Sequence, residues 1–254
     1  MMTAPSNMRS LDRSFDLLNV LQTAHQPLRL AEISRASALH IATAQRIVNV
    51  LVARGYAARS GDGYTAGPAA LAVAHAYLVT NPLSQLAQPV LQQLATTTGF
   101  TASLYVQVEN SRVLIARVES EHPLSYILPV GERLPLHIGG AGKIFLAEMT
   151  DEGIDASLSG VGSVRHASGN TVSIDDLKKT LAQIKKDDYA VSVGERTIGI
   201  SSVMAPVRAA DGTLLAVLGV TGPTDSIDTN TQTALIAEVR RAAAALGTRA
   251  PVTR

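Results

Sequence analysis

The spacing of apolar residues changes near Gly99, and this change limits the folds open to the chain. Before it, apolar residues recur every three or four positions, as in amphipathic helices. Beyond it, short apolar runs rich in β-branched residues predict strands at 101–108, 112–119, 124–130, 197–208 and 213–223. The sequence therefore predicts a helical N-terminal part and a separate α+β part, whose antiparallel strands we expect to carry helices on one side.

Three short helical patterns fill residues 10–56. The second and third are separated by a tight turn around Ser37 and Ala38, and Gly55 follows the third as a C-terminal cap. This arrangement has the dimensions of a helix-turn-helix. The residues expected to face the core are Leu11, Phe15, Leu18 and Leu21, then Leu30 and Ile33, then Ile47, Val50 and Leu51.

A hairpin signal follows the third helix. Tyr56–Arg59 and Tyr64–Ala66 can pair across a turn containing Gly61, Asp62 and Gly63. A helix-turn-helix followed by a hairpin is a winged helix, and the second helix of that motif enters the major groove of DNA. The sequence thus predicts a winged helix-turn-helix.

The charge distribution agrees with DNA binding. The whole chain has a net charge of +1, but residues 1–68 carry +3, all their basic residues are arginines, and the remainder carries −2. Arginine binds phosphate and guanine in a bidentate manner. The exposed face of an ordinary solvated helix would show similar side chains, but the winged-helix context favours DNA contact. The predicted DNA-binding residues are Arg9, Arg35, Thr43, Gln45, Arg46, Asn49 and Arg59.

An alanine-rich helix connects the two parts. It covers 68–80, and Asn81 and Pro82 then begin the next helix as its cap and first residue, with Gly99 closing that helix. Ser173, with Asp176 three residues on, resembles a capping box at the start of a later helix. We therefore expect a DNA-binding domain at 1–67, a linker helix at 68–80 and a second domain at 81–254. The linker helix is also a candidate dimerisation surface, because winged helices commonly read two half-sites as homodimers.

A glycine-rich stretch, Leu134–Met149, resembles a nucleotide-binding loop at first sight. The glycine spacing fits neither a P-loop nor a dinucleotide fingerprint, and no Ser or Thr follows Lys143 to hold magnesium. What remains is a helix opened by small residues, whose unpaired N–H groups can face an anion. Glycines that only permit close packing against a sheet explain the stretch equally well.

Several function classes find no support in the sequence. There is no cysteine, so disulfides and thiolate zinc sites are excluded, and the six histidines are scattered. No G-x-S-x-G motif or distinctive carboxylate pair indicates catalysis. The N-terminus lacks a signal-peptide pattern, and no apolar run is long enough to span a membrane. We expect a cytoplasmic protein that is not an enzyme and has no cofactor, metal or membrane partner.

The chain resembles the IclR family of transcriptional regulators from about Ser10 to Gly247. The resemblance rests on RSLDRSFDLLNVL, LRLAEISRASAL and TAQRIVNVLVARGY in the first part, and on LPVGERLPLHIGGAGKIFLA, GERTIGISSVMAPV and LLAVLGVTGP in the second. It implies an α+β protein with an N-terminal winged helix-turn-helix, a linker helix and a C-terminal, GAF-like effector-binding domain. The implied partners are a double-stranded DNA operator, an organic acid effector and further copies of the chain, as a homodimer or homotetramer.

The resemblance also implies where the effector binds. Its carboxylate would meet the backbone N–H groups of Gly140 and Ala141, where the helix dipole favours an anion. The other implied positions are Tyr126, Leu128 and Leu134 as apolar walls, and Ser192, Ser202, Gly219 and Thr221.

Three of these positions depart from the usual family residues. Ser192 stands where an acidic residue is common, Ser202 where a cysteine is, and Gly219 where a serine is. These residues predict a roomier and less anionic pocket, and hence a carboxylate larger than a two-carbon keto acid. An aromatic acid stacked on Tyr126 is one candidate. In the DNA-binding part, Ile41 and Ala42 replace a usual lysine and serine.

Two other functions stay open on the sequence alone. An enzyme with an accessory winged helix could use the glycine-opened helix as a substrate anion site, near His137 and Lys143. At such positions His137 is more typical of a packed or hydrogen-bonded structural residue, and Lys143 of a solvated or ion-paired one. A DNA-binding protein whose second domain only forms oligomers is the other possibility. We favour a regulator in which effector binding changes the spacing of two DNA-binding domains.

Overall fold

The computed structural model describes residues 8–120, 128–227 and 229–250. The chain divides between Thr80 and Asn81 into two compact units. The elements of the first unit are α1 (Arg9–Gln22), α2 (Leu30–Ala36), α3 (Ile41–Ala53), β1 (Ala57–Ser60), β2 (Gly63–Ala66) and α4 (Ala69–Thr80).

The first unit contains the predicted winged helix-turn-helix. The axes of α2 and α3 are bent by 108°, within the range of this motif, and Ala38 in the turn has a φ of 51°. Strands β1 and β2 pair antiparallel with Ser60 opposite Gly63, so the turn contains two residues. Gly61 has a φ of 56°, the left-handed conformation that such hairpin turns require.

The core of the first unit differs from the predicted stripes at three positions. Phe15 is 56% exposed, Leu11 is also exposed, and the first two turns of α1 bury nothing, because α1 packs through its second half. Val50 is 54% exposed, since the inward stripe of α3 runs through Ala44, Val48 and Leu51 and Val50 lies off that line. The buried apolar residues are Leu17, Leu21, Ile33, Ala44, Val48, Leu51, Ala57 and Tyr64.

The second unit is built on one six-stranded antiparallel sheet. Its helices are α5 (Pro82–Thr98), α6 (Gly140–Ala147), α7 (Asp151–Ser157), α8 (Ile174–Asp187) and α9 (Thr229–Gly247). Its strands are β3 (Thr101–Val108), β4 (Ser111–Val118), β5 (Arg133–Pro135), β6 (Ser163–Arg165), β7 (Thr171–Ser173), β8 (Ala190–Val193), β9 (Ile200–Arg208) and β10 (Leu214–Pro223). The strand order is β5-β4-β3-β10-β9-β8, and β6 and β7 form a separate hairpin.

Helices cover both faces of this sheet, so the prediction of helices on one side was wrong. Val203, Ala205 and Val207 of β9 join the core beneath α5 and α9, whereas Met204 joins the core shared with α6 and α8. Alternate strand residues point to opposite faces. Because both sets of residues are apolar, each face requires its own helical layer.

Several predicted signals at the ends of elements are confirmed. Asn81 caps α5 by accepting a hydrogen bond from the N–H of Ser84 at 3.1 Å, with Pro82 as first helical residue. Gly99 ends that helix at a φ of 72°, and α5 continues through Pro89. Ser173 caps α8 together with Asp176. Among the described residues, no single helix meets the length and hydropathy that crossing a membrane requires, although α2 and α3 do so as a bent pair.

Candidate DNA-binding surface and effector pocket

The exposed side of α3 carries the central residues of the predicted DNA-binding surface. Arg46 and Asn49 are exposed, and Thr43 and Gln45 are partly exposed. The amide of Gln45 donates hydrogen bonds to Asn49 Oδ1 at 2.9 Å and to the hydroxyl of Tyr64 on β2 at 3.3 Å. The helix and the wing are thereby joined through Gln45, and polar groups lie one turn apart on α3.

The other predicted DNA-binding residues are arginines on three different elements. Arg9 lies on α1, Arg35 on α2 and Arg59 on β1, and all three are exposed. The guanidinium of Arg59 lies 5.7 Å from the centre of the Tyr64 ring, a cation–π distance. Within residues 8–80, no arginine forms a salt bridge with a carboxylate, so these charges remain available to phosphate.

The beginning of α6 carries backbone donors without a partner. Gly139 precedes the helix with a φ of 80°, and its N–H donates to Glu195 Oε2 at 2.8 Å. No described residue accepts a hydrogen bond from the N–H groups of Gly140 or Ala141. Such groups at a helix N-terminus form an anion site.

The glycines at this helix are also required by packing. A Cβ on Gly142 would overlap the carbonyl oxygen of Leu136, and a Cβ on Gly140 would lie 3.1 Å from Met204 Cγ. Close packing is therefore one reason for these glycines, and the same small residues bring the helix start and its N–H groups close to the sheet.

A small pocket of about 40 Å³, partly open to solvent, lies between this helix start and the sheet. Ser192, Ser202 and Thr221 lie opposite one another on the adjacent strands β8, β9 and β10, and so form a row of hydroxyl groups. Five of the nine implied effector residues line this pocket: Gly140, Ala141, Ser192, Ser202 and Thr221. Its other lining residues are Tyr105, Arg112, Gly139, Arg196, Thr197, Ile200, Ser201 and Met204.

Three of the four remaining implied residues, Leu128, Leu134 and Gly219, do not line the pocket. Leu128 and Leu134 are buried in the apolar core beside α6. Gly219 does not leave extra room, because Met204 lies against it and a Cβ there would be 2.5 Å from Met204 Sδ. Tyr126 lies outside the described residues.

The nearby residues considered for an enzyme have structural surroundings. Lys143 and Glu195 are only 7% and 5% exposed, and Lys143 Nζ lies 2.5 Å from Glu195 Oε1. The ion pair is one of the roles expected for Lys143. Burial and the charge of Arg112 lower the pKa of the His137 imidazole, which favours its neutral form.

Arg112 is a pocket residue that sequence reasoning missed. It is 3% exposed, its Nη1 donates to the carbonyl oxygen of Pro135, and its Nε is buried without a hydrogen-bond partner. Its guanidinium carbon lies 5.8 Å from the centre of the Tyr105 ring. Burial and then the charge of Arg196 lower the pKa of Arg112 to about 10, although Tyr105 and Glu195 oppose this shift.

A sequence signal for Arg112 did exist. It lies two residues before Leu114, which packs in the core next to α6, and residues two apart in a strand share a face. Arg112 was therefore a charged residue on the inward face of β4. Glu195 gave a weaker signal, as a single acidic residue in a loop.

Two family models match the chain. One, described as the IclR helix-turn-helix domain, covers residues 10–61. The other, described as the bacterial transcriptional regulator IclR C-terminal domain, covers residues 75–248. Together they include both the α3 surface and the pocket.

Individual relatives agree with these matches. The transcriptional repressor IclR of Escherichia coli strain K12 is 28% identical over 95% of this chain and 90% of its own length. A crystal structure of an IclR-type regulator from Alicyclobacillus acidocaldarius superposes with a TM-score of 0.82 at 21% identity, covering 96% of this chain and 99% of that one. An IclR homologue from Microbacterium hydrocarbonoxydans in complex with 4-hydroxybenzoate has a TM-score of 0.76 at 22% identity, covering 94% and 98%.

Proposed function

Because this chain belongs to the IclR family of bacterial transcriptional regulators, we propose that an organic acid bound in its second unit controls its affinity for a DNA operator. The observation that carries this proposal is a pair of N–H groups, on Gly140 and Ala141, that have no partner among the described residues and open into a pocket lined by hydroxyl groups and arginine. Backbone donors, the helix dipole and a positive side chain all favour a carboxylate.

The DNA-binding half of the proposal assigns base contacts to α3 and phosphate contacts to the arginines around it. Asn and Gln pair with adenine and Arg with guanine in the major groove, so Gln45, Arg46 and Asn49 are the reading residues. Arg9, Arg35 and Arg59 supply charge for the DNA backbone. Ile41 and Ala42 are both exposed at the start of α3 and contribute no polar contact there.

Oligomerisation is supported by exposed apolar side chains on α4. This helix buries none of its residues within the chain, and Leu71, Val73 and Leu78 are all exposed. An apolar helix left uncovered is typical of an interaction surface. A homodimer joined there would place two winged helices on two half-sites, and residues 68–80 would act as the linker that sets their spacing.

The effector class is supported by the pocket and by a relative. The pocket offers donors for carboxylate oxygens, and the Microbacterium homologue of this fold binds 4-hydroxybenzoate. Control of DNA binding would follow if the acid prefers one of two arrangements of the DNA-binding units, because its differential affinity then shifts their populations.

Gel shifts on the DNA upstream of the protein's own gene test the proposal. We expect a salt-dependent shift that a panel of organic acids weakens or strengthens. Ala141→Pro removes one N–H donor in the first helical turn, where proline is tolerated, and should abolish the acid response while leaving the DNA shift. Ala141→Gly keeps the donor and serves as the control. A protein that shifts no DNA at any salt, or an acid response unchanged in Ala141→Pro, would refute the proposal.

A further inference from the structure

The first turn of α3 presents apolar groups on the same helix that carries the polar DNA-binding residues. Ile41 is 46% exposed, and Ala42 is also exposed. Among the described residues of the first unit, the core and the apolar side chains packed against it do not include Ile41. Single exposed apolar residues are common on protein surfaces, so exposure alone assigns no role to this pair. Its place on the helix is the informative feature.

The apolar pair is continuous with the DNA-binding surface of α3. Side chains three and four positions apart in a helix are neighbours, so Ile41 and Ala42 both lie beside Gln45, and Ala42 also lies beside Arg46. In a helix-turn-helix, the N-terminal residues of the second helix contact base edges. In this unit that helix is α3, which begins at Ile41. The apolar pair therefore lies where base edges are expected.

The chemistry of the base edges favours one partner for these side chains. In the major groove, adenine, guanine and cytosine offer hydrogen-bond donors and acceptors, whereas thymine also presents a C5-methyl group. An apolar side chain placed against a polar edge would deprive that edge of water without replacing its hydrogen bonds, which is unfavourable. Contact with a methyl group instead removes apolar surface of both partners from water. Thymine is therefore the base that suits Ile41 and Ala42.

We propose, on the basis of the DNA-binding function, that Ile41 and Ala42 recognise thymine in the operator through its C5-methyl group. Gln45 and Arg46 read the neighbouring base pairs through hydrogen bonds. The helix rises about 6 Å from Ala42 to Arg46, and successive base pairs are about 3.4 Å apart. Each half-site therefore has a thymine within about two base pairs of the base that Arg46 contacts.

The test replaces thymine by uracil, which pairs in the same way and lacks only the C5-methyl group. The DNA upstream of the protein's own gene is amplified with dUTP in place of dTTP, and gel shifts with the full-length protein compare the two fragments. We expect uracil DNA to bind at least about fourfold more weakly, which corresponds to the loss of one buried methyl contact.

A double variant, Ile41→Ser with Ala42→Ser, separates the methyl contact from any general effect of uracil on DNA shape. A shape effect would weaken binding by every variant alike, whereas loss of the contact should make the double variant bind both fragments equally. Ile41→Val retains an apolar side chain and should keep the preference for thymine. If the double variant binds neither fragment, the two single variants carry the test, and each should lose part of the preference.

Val50→Ser is the matched control. Val50 is 54% exposed on the same helix, but it lies more than two turns beyond the first residue of α3. The N-terminal contact that we propose does not involve it, so Val50→Ser should keep the preference for thymine DNA. Unchanged melting temperatures would show that none of these exposed substitutions disturbs the fold.

Three results would overturn the inference. They are equal affinity of the unaltered protein for thymine and uracil DNA, a preference that persists in the double variant and in both single variants, and a loss of preference in Val50→Ser as large as that in the double variant. In each case, a salt-dependent shift of the thymine DNA would leave the proposed function intact. Absence of a shift with either DNA at any salt would contradict the proposed function and the inference together.

Discussion

The two units use arginine in opposite ways. In the first unit, Arg9, Arg35, Arg46 and Arg59 are exposed and none forms a salt bridge with a described carboxylate. In the second, Arg112 is buried without a paired carboxylate. Water surrounds the arginines of the first unit, whereas protein surrounds the guanidinium of Arg112. The exposed arginines can therefore bind a large polyanion, and the buried arginine can bind a small acid.

Another arginine of the second unit, Arg208, has its charge neutralised by carboxylates. Arg208 on β9 binds Glu148 at 2.7 Å and Asp188 at 3.0 Å. Its charge is matched inside the protein, and it connects the ends of α6 and α8 to the sheet. Arg112, by contrast, has no carboxylate partner among the described residues.

The largest effect is expected where a buried charge loses its partner. Glu195→Ala leaves Lys143 buried and unpaired and removes the acceptor for the N–H of Gly139, so we expect a loss of about 3–5 kcal/mol in the free energy of unfolding of the second unit. Chemical denaturation measures it. Glu238→Ala, which removes the partly exposed partner of the exposed Arg241, is the control and should change stability by less than about 1 kcal/mol. Equal stability losses would show that the Lys143–Glu195 pair is not effectively buried.

An exposed arginine should affect binding without affecting folding. Arg46→Ala is expected to weaken operator binding by about 1–3 kcal/mol if it contacts a base edge, with an unchanged melting temperature, because Arg46 has no partner to lose. Gel-shift titration and thermal denaturation measure the two quantities. Arg54→Ala, an exposed arginine that caps the other end of α3, should leave affinity within a few tenths of a kcal/mol. A loss of stability in Arg46→Ala would show that this exposed arginine also stabilises the fold, contrary to the comparison of the two units.

Local patterns predicted the parts of the fold that neighbouring residues determine. The helix-turn-helix, the wing and the caps at Asn81, Gly99 and Ser173 depend on residues within a few positions of one another. The two-sided helical covering and strand β8 depend on pairing between distant segments, and the strand sequences were apolar on both faces. The helical periodicity predicted Phe15 as a core residue, because periodicity does not show which turns of α1 pack against the other helices.

The pocket was predictable only in part for the same reason. The resemblance placed Gly140, Ala141, Ser192, Ser202 and Thr221, which the sheet brings together. Arg112 is far from the glycine stretch in sequence, and only the β4–β5 pairing and the close packing at Gly142 bring its guanidinium there. In such sequences, a charged residue at an inward-facing strand position is the signal that indicates a pocket residue.

The smallest effect is a pH dependence at the compensated arginine. Arg208 holds the pKa of Glu148 below its usual value, against the opposing effect of burial. A carboxyl whose folded pKa is depressed adds stability above its unfolded pKa and loses it as pH falls through the folded pKa. Since both side chains are partly exposed, we expect a contribution of about 1 kcal/mol or less. Arg208→Gln should lower stability at pH 7 and flatten its decline below about pH 4.5, as followed by urea denaturation at several pH values.

Arg240→Gln, on the surface of α9, is the control. If the free energy of unfolding declined equally steeply below about pH 4.5 in Arg208→Gln and in the unaltered protein, Glu148 would not be the carboxylate that neutralises Arg208.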